Sequence, residues 1–121
     1  MNVVGQIIDL SAPGSHADGE EVRVDVRVTE QFDGGGVNNF IIETGSLPDL
    51  SDAVSFVSVF GVVAATLEPG YSMFPGLCFI GNAAQRYARM TVIGGASVTT
   101  GRVSAGIVVD AARQDFGELG V

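Results

Sequence analysis

The most regular stretch of the chain alternates apolar and polar residues from Val22 to Glu30. Valines at positions 22, 24, 26 and 28 are separated by arginine or aspartate. A period of two places the valines on one face of a β-strand and the charged side chains on the other. The alternation therefore predicts a strand that is buried on one face and solvated on the other.

Other short segments have the composition of β-strands and end at turn residues. They are residues 40–44 (FIIET), 54–66 (VSFVSVFGVVAAT), 86–93 (RYARMTVI) and 102–110 (RVSAGIVVD). Seven or eight short strands with turns at regular intervals predict an all-β fold, an antiparallel β-sandwich or jelly roll.

Glycine and proline mark the expected turns and interruptions. Gly34–Gly36 predicts a hairpin turn after the first strand, and Gly94–Gly95 predicts the turn of a second hairpin. Gly61 predicts a bulge or a break between two strands. The mostly apolar segment 73–82 is expected at a sheet edge, because Pro75 removes a donor from the hydrogen-bond ladder.

A single domain is expected over residues 1–121, because the length suits one core and no repeat or linker divides the chain. Residues 1–20 are expected to form an N-terminal arm or an edge strand. Residues 111–121 are expected to be an acidic tail that frays.

The charge is strongly acidic. Fourteen acidic residues face six basic ones, all arginine, for a net charge of −8. Nucleic-acid binding is disfavoured, because it needs clustered cations and the arginines are scattered along the sequence. An acidic surface keeps a protein soluble at high copy number. Arginine without lysine suits ordered protein interfaces or simply reflects base composition.

No membrane partner is expected. Between Asp52 and Arg86 the only charged residue is Glu68, but the apolar run Ala53–Leu67 is short for a membrane helix and contains serine and glycine. The N-terminus lacks the basic start and long apolar run of a secretion signal.

The sequence offers little reactive chemistry. His16, the only histidine, is expected in an exposed loop, and Cys78, the only cysteine, is expected to be a buried inert thiol because its neighbours are apolar. One residue of each type makes a metal site, a cofactor or a disulfide unexpected. Asp49 and Asp52 fit calcium ligands or turn caps, and the absence of a D-x-D-x-D-G pattern favours caps. An enzyme is therefore not expected.

Three segments together resemble a known family. They are "EEVRVDVRVTEQFDGGG", "LEPGYSMFPG" and "QRYARMTVIGGASVTTGRVSAGIVVD". Their order and spacing are similar to those of the phage capsid cement proteins of the Bordetella-phage type. The resemblance covers roughly residues 20–110. It rests on Val28, Thr29, Glu30, Phe32, Leu67, Gly70, Tyr71, Arg86, Tyr87, Arg89, Thr99, Gly101, Val103, Ala105, Gly106, Ile107, Val109 and Asp110.

The resemblance implies a jelly-roll protein on the outer surface of a tailed-phage head. Its partners would be the major capsid protein and further copies of itself, as a homodimer or homotrimer. It would be present in the host cytoplasm during assembly and then on the capsid exterior of the virion. The loop "FDGGGVNN", the segment "FPGLCFIGNAA" and the acidic C-terminus depart from the family pattern, so contacts made by these parts are not implied.

Two groups of residues are candidates for contact with a partner. Arg86 and Arg89 would pair with capsid carboxylates, with Tyr87 as an amphipathic anchor between them, unless the arginines are ordinary outward strand charges. The apolar N-terminus would add a strand to a neighbour's sheet, unless it forms an internal edge strand. Its candidate contact residues are Val3, Val4, Ile7 and Ile8.

Two other functions fit a β-sandwich. The first is a carbohydrate- or receptor-binding domain of a phage tail or fibre, which the absence of tryptophan and the scarcity of tyrosine weaken. The second is a small cupin-type enzyme, which needs clustered histidine and carboxylate ligands that a single histidine does not supply.

Overall fold

A computed structural model describes residues 2–10, 19–34, 37–81, 83–95, 97–109 and 112–120, which form β-strands joined by short turns. The strands are β1 (Asn2–Val4), β2 (Ile8–Asp9), β3 (Glu21–Asp33), β4 (Val37–Gly45), β5 (Val54–Val63), β6 (Ser72–Met73), β7 (Cys78–Ile80), β8 (Tyr87–Ile93), β9 (Thr100–Val109) and β10 (Ala112–Gly120). Two 3-10 turns lie at Ala64–Thr66 and Ala83–Gln85. No helix in these ranges is long and apolar enough to cross a membrane.

The strands form two antiparallel sheets that pack face to face. The first sheet has the order β1-β8-β4-β5, with β2 also paired to β8. The second has the order β10-β9-β3-β6, with β7 also paired to β3. The predicted all-β antiparallel sandwich is confirmed.

The core lies between the sheets and follows the predicted period of two. The valines of β3 at 22, 24, 26 and 28 are buried, and they share a face with Val103, Ala105, Ile107 and Val109 of β9. The first sheet contributes Phe40, Ile42, Met90 and Val92. Phe32 and Phe40 meet edge to face across the core, with ring centroids 6.0 Å apart. Each such side chain contributes about 1.5–3 kcal/mol on burial.

Both predicted hairpins are wrong. β3 and β4 lie in different sheets, as do β8 and β9, so both connections cross from one sheet to the other. The two connections are in contact with each other. A Cβ placed on Gly34 (φ +96°) would lie 2.0 Å from the carbonyl oxygen of Ser97. Gly34 thus permits close backbone approach between two crossing loops. Glycines signal a change of chain direction but leave the choice of strand partner to long-range packing.

The predicted C-terminal tail is also wrong over residues 112–120. They form the edge strand β10, which pairs with β9 along its length. Phe116 and Leu119 are almost completely buried. The pairing shifts by one residue between Asp115 and Gly117, a β-bulge that turns Phe116 towards the core. The bulge breaks the period of two, so the sequence shows no alternating strand pattern here. Its acidic composition therefore suggested a tail.

The N-terminal residues 2–10 form an edge strand of their own chain rather than an arm. β1 and β2 both pair with β8. Between them, Gly5 N–H donates to Met90 in the first sheet and Gln6 N–H donates to Phe116 in the second, each at 2.8 Å. The segment therefore links the two sheets along one side of the sandwich.

The opposite side of the sandwich is formed by β5 and by β6 with β7. Phe56 of β5 contacts Phe79 of β7, with centroids 4.7 Å apart. The predicted bulge at Gly61 is confirmed. Asn38 pairs with Val62 and Phe40 pairs with Val59, so between these two pairs β5 has one residue more than β4. A second slip follows near Phe56. The edge position predicted for segment 73–82 is confirmed, since β6 and β7 pair with β3 there.

Candidate interaction surface

The outward side of β8 brings together most of the predicted contact residues. Ala88, Met90 and Val92 are buried in the core, so the alternating positions of the strand face away from it. The antiparallel register places charged and apolar side chains of neighbouring strands beside them. We call this surface the β8 face. It consists of Val4, Asp9, Glu43, Arg86, Tyr87 and Arg89.

Arg89 lies opposite Glu43 of β4 and forms an ion pair with it. Arg89 Nη2 donates to Glu43 Oε2 at 3.3 Å, and the Thr91 hydroxyl donates to Oε1 of the same carboxylate at 3.4 Å. The two charged side chains are only 26% and 24% exposed. Arg89 Nε is buried without a hydrogen-bond partner among the described residues. The guanidinium is thus held in place by Glu43 and keeps donors to spare.

Arg86 is fixed by two contacts at the start of β8. Its Nε and Nη2 donate to the two carboxylate oxygens of Asp9, each at 3.1 Å. Its guanidinium carbon lies 5.0 Å from the centroid of the Tyr87 ring, within cation–π range. The hydrogen bond to Asp9 raises the pKa of Arg86 above its already high ordinary value. Arg86, Tyr87 and Asp9 therefore form one prearranged cluster.

The predicted docking arginines are consequently paired within this chain. Each has a carboxylate of its own sheet as partner, Asp9 for Arg86 and Glu43 for Arg89. A capsid carboxylate would have to share a guanidinium or displace the internal acid. The surface presents two oriented arginine–carboxylate pairs around a tyrosine, rather than free positive charge.

The four predicted N-terminal contact residues divide into two groups. Ile8 is 4% exposed and belongs to the core, and the partly buried Val3 packs against it, so Ile8 offers almost no surface to a partner and Val3 offers little. They face inward because their positions oppose the inward-facing Ala88 and Val92 of β8. Val4 and Ile7 remain at the surface, 53% and 38% exposed.

The other four arginines lie on the outer face of the second sheet, where acids surround most of them. Arg113 contacts Asp25 and also Asp115, the latter at 2.7 Å. Arg102 lies 4.0 Å from Glu30 and 3.9 Å from Glu118. Such exposed pairs each contribute little to stability. Sequence spacing did not reveal them, because Asp25 and Arg113 are far apart in the chain.

A depression of about 320 Å³ lies on the same face, between β3 and the segment that joins β6 to β7. Arg23 and Arg27 flank it, and Asp25 lies between them. Pro75 and Gly76 form part of its wall. These groups provide charge but no pairing of a nucleophile with a proton acceptor.

Asp49 and Asp52, the candidate calcium ligands or turn caps, accept hydrogen bonds within their own loop. Asp52 caps the loop after β4: it accepts from Ser46 N–H at 3.0 Å, from Leu47 N–H at 3.1 Å and from the Ser46 hydroxyl. Asp49 accepts from Ser51 N–H at 3.0 Å. These bonds, that of the Ser46 hydroxyl foremost for Asp52, lower the pKa of both carboxyls. The preferred interpretation as turn caps is confirmed.

Cys78 is exposed, so the prediction of a buried thiol is wrong. It lies on the edge strand β7 opposite Arg23, facing outward, while the neighbouring Phe79 packs on the core. His16 lies outside the described residues. Within the described ranges, no three histidine, cysteine or acidic side chains are grouped closely enough to hold a metal ion.

Comparison with protein-family models, with curated proteins and with solved structures finds no match to this chain.

Proposed function

We propose that this chain is a capsid decoration protein, which binds the outer surface of the assembled major capsid protein lattice of a tailed phage. In this role it has no catalytic task. It stabilises the head against internal DNA pressure, because a ligand that binds the assembled lattice better than free subunits shifts the equilibrium towards the lattice.

The observation that carries the proposal is the β8 face. The sequence "RYAR", part of the resemblance to cement proteins, gives Arg86, Tyr87 and Arg89 a common outward surface. Their guanidiniums are already oriented by Asp9 and Glu43, so little side-chain entropy is lost when a partner docks. Arginine and tyrosine at the centre of such a surface are the residue types enriched at binding hot spots.

The rigid sandwich also suits this role. A stiff domain bound to neighbouring capsid subunits resists their separation, and several modest contacts gain strength from effective concentration when the protein is a symmetric oligomer. The partners proposed are therefore the major capsid protein and further copies of this chain, on the virion exterior.

The test mixes purified protein with expanded heads that lack it and measures bound copies by sedimentation. Tyr87→Ala and Arg89→Ala are expected to weaken binding about tenfold or more, since hot-spot truncations cost about 2 kcal/mol. Arg27→Ala is the control, because Arg27 is 67% exposed on the opposite sheet and is expected to leave binding unchanged.

Wild-type protein that binds no capsid form would end the proposal. If Arg27→Ala and Arg89→Ala weakened binding to heads equally, the β8 face would not be the docking surface. Binding to glycans in place of heads would favour the carbohydrate-binding alternative.

A further inference from the structure

The depression on the outer face of the second sheet carries positive charge in an acidic molecule. Arg23, Arg27 and Asp25 of β3 line it, and Ser72 adds a hydroxyl. Two arginines and one aspartate give its lining a net charge of +1, whereas the whole chain carries −8. A volume of about 320 Å³ is enough for a small molecule. The charge of the lining favours a small anion.

Arg23 differs from the other five arginines of the chain. Each of those has an acidic side chain within 4.0 Å. Arg23 is exposed and has no such partner in the part of the chain that the structure describes. A guanidinium group has five N–H donors and no acceptor. Those of Arg23 are therefore available to a ligand from solution.

The acid that lines the depression, Asp25, is held from the other side by Arg113. Arg113 reaches Asp25 from β10 across the strand β9. Gly106 of β9 makes this possible, because a Cβ at that position would lie only 3.0 Å from Cζ of Arg113. Arg27 contacts Asp25 at a longer distance of 3.4 Å. Arg113 thus offsets the negative charge that would otherwise oppose an anion beside Arg23.

The rest of the lining favours a carboxylate that is attached to a carbon chain. Val108 lies opposite Arg23 on β9, and Pro75 forms part of the wall. A guanidinium fork binds both oxygens of a carboxylate, and these apolar groups suit the carbon atoms behind it. The chain uses the same pairing at Arg86, which donates to both carboxylate oxygens of Asp9.

We propose that Arg23, assisted by Arg27, binds a carboxylate group in this depression. The group belongs to a small organic acid or to an acidic side chain of another molecule. The depression lies on the second sheet and the β8 face on the first, so a ligand here leaves the β8 face uncovered. The inference goes beyond the proposed function and does not depend on it.

NMR titration of the full chain tests the proposal with two probes, sodium acetate and capped glutamate (acetyl-Glu-amide). The Arg23 Nε–H signal is expected to shift and to saturate, beyond any change caused by sodium chloride at equal ionic strength. Arg23→Gln is expected to weaken acetate binding about tenfold or more, since it removes a hydrogen-bonded charge. Arg102→Gln is the control, because Arg102 lies on the same sheet face beside Glu30 and Glu118. It is expected to leave binding unchanged.

Cys78 gives a second measurement. It is the only cysteine, it is exposed, and it lies opposite Arg23 in the strand register, which places the two Cβ atoms about 5 Å apart. Iodoacetate and iodoacetamide both alkylate its thiolate with loss of iodide, but only iodoacetate carries a carboxylate. Excess acetate is therefore expected to slow the reaction of iodoacetate more than sodium chloride does, and to leave that of iodoacetamide unchanged. In Arg23→Gln the protection is expected to disappear.

Circular dichroism verifies that each variant is folded. Saturation by acetate alone supports a site for free acids, and saturation by both probes supports one that also accepts an acidic side chain. Shifts that never saturate, or an Arg23→Gln variant that binds acetate like the wild type, overturn the proposal. Inorganic phosphate that binds more tightly than either probe overturns the assignment to carboxylates. None of these outcomes bears on whether the protein binds phage heads.

Discussion

Gly101 lies directly against the ring of Phe32. A Cβ at position 101 would come within 2.4 Å of Cγ of that ring, closer than non-bonded carbon atoms approach. Phe32 is 2% exposed and also meets Phe40 of the other sheet. The absent side chain of Gly101 thus makes room for the aromatic contact that joins the two sheets.

Gly101→Ala is therefore expected to destabilise the fold by about 2–4 kcal/mol, through overpacking and the positive φ of residue 101. Urea unfolding measures the change. Gly70→Ala is the matched control, since Gly70 also has a positive φ but has open space around it. It is expected to cost about 1 kcal/mol. Equal effects of the two substitutions would contradict the packing of Phe32 on Gly101.

Phe116→Ala tests whether the C-terminal strand belongs to the core. Phe116 is 1% exposed, and truncation of a buried phenylalanine costs about 3–5 kcal/mol. Glu118→Ala on the same strand is the control, because its side chain is 59% exposed and surface changes stay within about 0.5 kcal/mol. Thermal or urea unfolding measures both. A Phe116 variant as stable as the wild type would mean that β10 is frayed after all.

The Arg89–Glu43 pair is expected to be energetically coupled. Both side chains are about three-quarters buried, so the pair should contribute somewhat more than a fully exposed one, about 1 kcal/mol. A double-mutant cycle with Arg89→Met and Glu43→Gln measures the coupling by urea unfolding. Arg27→Met with Asp25→Asn is the comparison pair, whose coupling is expected to be smaller because Arg27 is highly exposed. No coupling between Arg89 and Glu43 would show that neither side chain positions the other.

The loop after β4 is expected to respond to acid. Hydrogen bonds, first that from the Ser46 hydroxyl, lower the pKa of Asp52 below its ordinary value of 3.8. The ionised carboxylate therefore stabilises the folded loop fully above about pH 4, and this contribution is lost as the pH falls through the lowered pKa.

Ser46→Ala is expected to raise the pKa of Asp52 towards 3.8, as measured by carboxyl NMR titration. Ser51→Ala is the control, since Ser51 lowers the pKa of Asp49 and should leave Asp52 unchanged. An unaltered Asp52 titration in the Ser46 variant would contradict the capping role.

The sequence revealed the elements whose period is uninterrupted. Apolar residues alternate regularly in the segments Val22–Val28 and Val103–Val109. The two segments pair with each other without a bulge, and both form the strands that were predicted. β10 was missed because the bulge at Phe116 breaks the alternation. The two crossing connections were mistaken for hairpins, because local turn signals do not encode which sheet the next strand joins.

The candidate surface was predicted only in part, because local sequence does not encode which strands pair. The R-Y-x-R pattern selected Arg86, Tyr87 and Arg89 as contact residues, and Tyr87 and Arg89 lie on the same face of β8 while Arg86 precedes the strand. Their acidic partners lie 77 and 46 residues away, in other strands, so the pairing depends on the strand register. Ile8 was assigned to the surface because the chain alone did not show that β2 pairs with β8 and turns it inward.

The most direct test of the decoration role is the temperature at which filled heads release their DNA, with and without added wild-type protein. Heads that carry the protein are expected to release DNA at a higher temperature, by an amount that grows with the number of bound copies. An unchanged release temperature on heads that have bound the protein, or heads that bind none, would contradict the account.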